Sequence, residues 1–188
     1  YNFKKKIRFI EIDNIFKKSY DNKYINIINV KLKKSNNKKS NNILLKKYLK
    51  KSFDIALMLA KNGFTKKIIN GPINKKNFLN KKFLGITEYI SKNFKKKNGM
   101  LIYNKELSVC PLTTHLPIKQ VAKKITKRLI SEKIDIIDGF FKKELKTKAK
   151  IAVTGLNPHC ESVLKYNEDE KIIPQVINKK INKGISIK

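Results

Sequence analysis

The chain has 188 residues, 45 Lys+Arg against 14 Asp+Glu, and a formal net charge of +31 at pH 7. That length supports one domain or two small lobes with a real core, and 40% hydrophobic residues argues against a disordered chain. No apolar run approaches the ~20 residues of a membrane helix, no signal peptide opens the chain, and two isolated cysteines, Cys110 and Cys160, make no disulfide framework, so the expected location is cytoplasmic.

Residues Tyr1 to Val30 hold two short apolar runs, Ile7 to Ile12 and Tyr24 to Val30, and the second reads as a strand. Lys31 to Asn42 is polar and aperiodic and reads as a surface loop. Ile43 to Lys61 is the clearest helix: Leu45, Leu49, Ala56 and Ala60 share a face, and Asn62-Gly63 stops it. Lys67 to Asn70 reads as a strand running into the turn Gly71-Pro72. Strand, helix and strand together predict a βαβ unit with a parallel sheet.

Further on, Gly85-Ile86-Thr87-Glu88 leads into a helix expected from Glu88 to Phe94, with Thr87 suited to cap it. Gly99 to Tyr103 and Leu107 to Leu112 predict a hairpin turning at Asn104-Lys105. Pro117 is placed to open a helix carrying Val121, Ala122, Ile125, Leu129 and Ile130, continued from Ile134 to Leu145. Lys150 to Val153 is the next strand. Glu168 to Ile181 is the last helix, which Pro174 should kink or start.

The charge would ordinarily point to nucleic acid or an anionic surface. Here the excess is lysine, with arginine only at Arg8 and Arg128, and arginine is the residue that grips bases and phosphates bidentately. Asparagine and isoleucine, like lysine, have A/T-rich codons, so drift of surface positions accounts for the set. A basic nucleic-acid-binding module is retained as the alternative reading, resting on charge alone.

Several signatures are missing: Gly-x-Gly-x-x-Gly, a Walker loop, Cys-x-x-Cys, His-Glu-x-x-His and Gly-x-Ser-x-Gly. The two histidines, His115 and His159, each follow an apolar strand-like run, at the sheet edge where α/β proteins bind ligands. Imidazole is a common ligand for zinc and related ions, but a catalytic ion normally takes three protein ligands. The residues leave two readings open: a shared ion, or two independent loop histidines.

Four blocks in order decide more. They are Asn70-Gly71-Pro72-Ile73-Asn74-Lys75, Gly85-Ile86-Thr87-Glu88, Leu112-Thr113-Thr114-His115-Leu116-Pro117 and Val153-Thr154-Gly155-Leu156-Asn157-Pro158-His159. The set resembles the 4-hydroxythreonine-4-phosphate dehydrogenase family of the vitamin B6 pathway, and Glu168 to Pro174 extends the likeness.

The resemblance implies an isocitrate/isopropylmalate-dehydrogenase-like α/β/α sandwich, here truncated at both ends. Residues 1–70 would belong to a first α/β lobe and 71–188 to a second lobe with metal-binding and dimerisation elements. It implies a homodimer acting on a small phosphorylated substrate. The reaction would be NAD-dependent oxidation of 4-phosphohydroxythreonine followed by decarboxylation, assisted by a divalent metal (zinc, magnesium or cobalt).

By the matching motifs, His115 and His159 would ligate the metal and Thr87 would contact substrate. Ile86 stands where the family usually has histidine, which motivates a divergent dehydrogenase with a different phosphorylated hydroxy acid as a further alternative. Cys160-Glu161-Ser162 stands where the family has Ala-Gly-Glu. The family's third metal histidine would lie downstream of Lys188, so the resemblance implies an excerpt that is inactive alone.

Overall fold

The computed structural model describes residues 9–12, 23–79, 82–83, 85–158 and 167–188. Two compact units divide the chain, Tyr1–Phe83 and Leu84–Lys188.

In the first unit, β1 (Phe9–Glu11) and β2 (Ile25–Ile27) pair in parallel, with Phe9 opposite Ile25 and Glu11 opposite Ile27. The Ile12 N–H extends the ladder by donating to the Ile27 carbonyl at 2.8 Å. Helix α1 runs Lys38–Lys61, so it starts inside the stretch whose composition reads as loop. The reason is local. Asn37 is an N-cap whose side-chain oxygen accepts the N–H groups of Lys39 and Ser40 at 2.9 and 3.2 Å. Phe53 and Leu57, one turn apart, form its buried stripe, and Gly63 at φ 79 lets the chain leave.

The strand expected over Lys67 to Asn70 does not form, and Ile69 is 98% exposed. Thr65 folds the chain locally instead: its hydroxyl accepts the Lys67 N–H at 3.1 Å and donates to the Lys67 carbonyl at 2.9 Å. In this unit the parallel pair among the described residues is thus β1–β2, and the expected βαβ unit across α1 is not built. Asn74 starts the short helix α2 (Lys75–Leu79) by accepting the Asn77 N–H. Phe78 of α2 stacks on Phe53 with ring centroids 5.1 Å apart.

In the second unit, α3 spans Ile86–Phe94 with Gly85 as N-cap. Thr87 therefore lies within the first turn rather than at the cap expected for it. The hairpin is present as a single antiparallel bridge, Ile102 and Val109 exchanging bonds of 2.8 and 2.9 Å. Asn104 and Ser108 shape its turn.

Pro117 caps α4 (Ile118–Lys124). The helix does not continue into the next one: Thr126 adopts an extended conformation and caps α5 (Lys127–Lys143) by accepting the Leu129 N–H. That break turns Ile125 into the core beside Ile130 and Ile134. After α6 (Glu168–Lys171), α7 (Ile173–Ile181) carries Pro174 in its first turn, where a missing N–H costs nothing.

Ile173 and Val176 of α7 close the core with Ile185 and Ile187. Each such side chain contributes roughly 1.5–3 kcal/mol by leaving water. Ile151 bridges Ile187 in parallel, so the run from Lys150 to Val153 pairs as a strand would. Among the described residues, no helix is long and apolar enough to cross a membrane.

Candidate functional site

The segment Leu112 to Pro117 leaves the hairpin and reaches α4 through a sharp turn. His115 makes it, at φ 59 in the left-handed region, and its side chain is exposed. Histidine is among the non-glycine residues enriched there, yet the conformation is strained, and such strain concentrates at functional positions.

The N-terminus of α3 lies against this turn. Gly85 is buried and extended, and a Cβ placed on it would stand 2.8 Å from Glu88 Oε2 and 3.9 Å from His115 Nε2. The carboxylate and the imidazole therefore both lie within 3.9 Å of one point. Thr87 sits on the same first turn of α3, exposed to solvent. Glu88 also complements the positive end of the helix, which gives it a structural task beside any chemical one.

The second histidine, His159, lies outside the described residues. Its approach does not. The Val153 N–H donates to the Lys188 carbonyl at 2.9 Å, and the chain then turns through Gly155 to Pro158. Asp169, in α6, takes hold of that turn. Its Oδ1 accepts the Leu156 N–H at 2.6 Å, and its Oδ2 accepts the Asn157 N–H at 3.1 Å and the Asn157 side-chain amide at 2.7 Å. Asn167 orients Asp169 in turn, accepting its N–H at 2.9 Å. Burial pushes the Asp169 carboxyl up, but these three donors outweigh it and hold the group below its ordinary range.

Of the three residues expected at the site, His115 lies against Gly85, the N-cap of the helix that carries Thr87 in its first turn. Sequence reasoning missed Glu88 beside His115, and, at the separate turn before His159, the grip of Asp169. A signal for Asp169 was there: Glu168-Asp169-Glu170 is a run of acids in a strongly basic chain, directly behind a capping asparagine.

Among the described residues no three His, Cys, Asp or Glu side chains gather to hold a metal ion. His115 with Glu88 nonetheless offers an imidazole and a carboxylate, donors that zinc, cobalt and magnesium take in differing proportion. They fit as part of a ligand set that a third residue must complete. Neither Thr87 nor His115 lines the cavity of about 510 Å³ under the hairpin, whose floor is Ile137, Phe141 and Leu145.

Known proteins resemble this chain closely enough to assign it. The family model for the pyridoxal phosphate biosynthetic protein PdxA matches residues 3–188. A 4-hydroxythreonine-4-phosphate dehydrogenase of Bacteroides thetaiotaomicron is 36% identical over 121 residues, covering 61% of this chain and 33% of that protein. The enzyme of the same name from Aquifex aeolicus is 37% identical over 127 residues, covering 64% and 39%.

The crystal structure of 4-hydroxythreonine-4-phosphate dehydrogenase from Klebsiella pneumoniae superposes with a TM-score of 0.75 at 23% identity, covering 100% of this chain and 59% of that one. The fold is accordingly the α/β fold of those enzymes, as expected from the sequence. The chain spans well under two thirds of the relatives it matches. It belongs to the family of the pyridoxal phosphate biosynthetic protein PdxA.

Proposed function

We propose that the whole protein is an NAD-dependent, divalent-metal-dependent dehydrogenase that oxidises 4-phosphohydroxythreonine and decarboxylates the product, as a cytoplasmic homodimer serving pyridoxal phosphate synthesis. The observation that carries this reading is the family match over residues 3–188. The meeting of Thr87's helix turn with His115 supports it.

In this reading His115 and His159 hold the ion. When bound, the ion supplies Lewis-acid polarisation of a substrate oxygen, and NAD accepts the hydride. The remaining work belongs to side chains of this chain. His115 presents its imidazole from a turn whose backbone is already set, so little ordering remains when a ligand arrives. Thr87 offers an exposed hydroxyl to orient a polar substrate group. Glu88 places negative charge beside the imidazole, which favours a cation there.

Formation of NADH from 4-phosphohydroxythreonine by the whole protein, with zinc, magnesium or cobalt supplied in turn, tests the proposal. His115→Ala should abolish turnover and metal affinity together, and Thr87→Ala should raise KM. Absence of turnover under conditions where the Aquifex relative works would sink it.

Ile86 favours a second reading within the same chemistry. It is the first residue of α3, half-buried, and puts an apolar side chain next to Thr87. A different phosphorylated hydroxy acid is then the substrate. Ile86→His should shift preference toward 4-phosphohydroxythreonine, and unchanged preference would remove the idea.

A further inference from the structure

The cavity of about 510 Å³ beneath the hairpin shares no lining residue with the candidate site and has no task in the chemistry proposed above. Its first wall is the hairpin itself. Ile102 and Val109 exchange backbone bonds and leave their side chains 58% and 51% exposed, while the alternate residues Leu101, Tyr103, Ser108 and Cys110 line the cavity. The floor continues one stripe of α5. Ile130 and Ile134 are buried in the core, and Ile137, Phe141 and, just past the helix end, Leu145 line the cavity half-buried. Lys146 at φ 55 then reverses the chain, and the Thr147 N–H returns to the Phe141 carbonyl at 3.1 Å. Lys150 to Ala152 form the remaining side, where Ile151 is held by its N–H bond to the Ser186 carbonyl at 3.0 Å. Each wall is thus fixed by contacts within the protein.

The lining offers two kinds of surface. Leu101, Ile137, Phe141, Leu145 and Ile151 are apolar, whereas Tyr103, Thr147, Lys105 and Lys150 are exposed and carry a hydroxyl or an ammonium group. Neither lysine forms a salt bridge among the described residues. Glu106 lines the cavity too, so the two ammonium groups leave a net positive charge there, in a chain whose +31 already draws anions. At about 510 Å³ the cavity falls within the roughly 300–1,000 Å³ of small-molecule pockets. We propose that it is a second binding site, taking a small amphipathic anion: an aromatic or aliphatic body against Ile137 and Phe141, and an acidic head drawn to Lys105 and Lys150. This site stands on its own lining and does not depend on the dehydrogenase reading.

A matched pair of fluorescent probes tests the proposal on the protein: 8-anilinonaphthalene-1-sulfonate, and N-phenyl-1-naphthylamine, which is the same body without the sulfonate. Both should bind saturably. Lys105→Ala combined with Lys150→Ala should weaken the sulfonate by about fivefold and leave the uncharged probe within about twofold. Ala152→Trp, which fills the cavity from an exposed wall position, should weaken both by at least about tenfold. Cys110 reports the location. Burial pushes its thiol up more than nearby Lys133 brings it down, so the wall keeps a neutral thiol. Saturating sulfonate should slow alkylation of Cys110 by iodoacetamide by about fivefold or more, read on its peptide by mass spectrometry.

No saturable binding of either probe would overturn the site. Unslowed alkylation of Cys110 would overturn its location, as would affinities that Ala152→Trp leaves within about twofold of wild type. Lysine changes that weaken neither probe, or both equally, would overturn the acidic head. These lysines are exposed, so their variants decide even if Ala152→Trp does not fold. His115→Ala should leave sulfonate affinity within about twofold; a larger loss would place the probe at the candidate site instead and overturn this one.

Discussion

Glu88 Oε2 and His115 Nε2 stand 2.8 and 3.9 Å from the point a Cβ on Gly85 would occupy, so an acid and an imidazole both approach one buried glycine. The nearer obstacle is the tip of a flexible side chain, which can swing away. Gly85→Ala should therefore change stability by less than about 1 kcal/mol in urea unfolding. It should still displace Glu88 and weaken divalent-ion binding, and the additional change Glu88→Ala should then have little further effect on binding. A full additive loss in the double variant would show that the two positions act independently.

His115 bears a left-handed backbone on a residue with a Cβ. His115→Gly and His115→Ala both remove the imidazole, but only glycine relieves the crowding. The glycine variant should be more stable than the alanine variant by about 1 kcal/mol. Equal unfolding free energies would mean that the turn relaxes when the ring is lost.

Lys180 Nζ meets Asp135 Oδ1 at 2.5 Å, joining α7 to α5, with the lysine side chain 3% exposed and the aspartate 58%. The two partners are not equivalent. Asp135→Ala strands a buried ammonium and should cost roughly 2–3 kcal/mol, the low end for such pairs because water reaches the aspartate side. Lys180→Met removes the charge and fills the space, and should fall within about 1 kcal/mol of wild type. Thermal unfolding of the two variants side by side checks the asymmetry.

Acid should loosen the turn before His159. The Asp169 carboxyl is raised by burial and lowered more strongly by its three N–H donors, so its folded value lies below the ordinary 3.8. A carboxyl depressed on folding stabilises the native state above its unfolded value, and that contribution is lost as pH falls through the folded one. Wild-type stability relative to Asp169→Asn should be greatest at neutral pH and shrink below about pH 4. A difference that stays constant down to about pH 2 would contradict the assignment.

The local grammar of this chain was legible residue by residue. Asn62-Gly63 ends α1, Pro117 opens α4 and Pro174 opens α7, because backbone restriction and missing N–H groups act within a turn of where they stand. The motif blocks placed Thr87 and His115 in one family pattern before any distance was known. Where local reading went astray, a neighbour's hydroxyl or amide intervened: Asn37 drew the helix back to Lys38, Thr65 turned the chain that would have been a strand, and Thr126 divided α4 from α5.

Tertiary structure alone decided the rest. Nothing in the spacing of Asp169 and Leu156, Lys180 and Asp135, or Glu88 and His115 marks them as neighbours. The first two pairs meet because core residues on separate elements, Ile134 and Val176 among them, bury their apolar surface together and carry the polar groups along. Burial follows from composition and periodicity; which acid then faces which donor depends on how the elements pack.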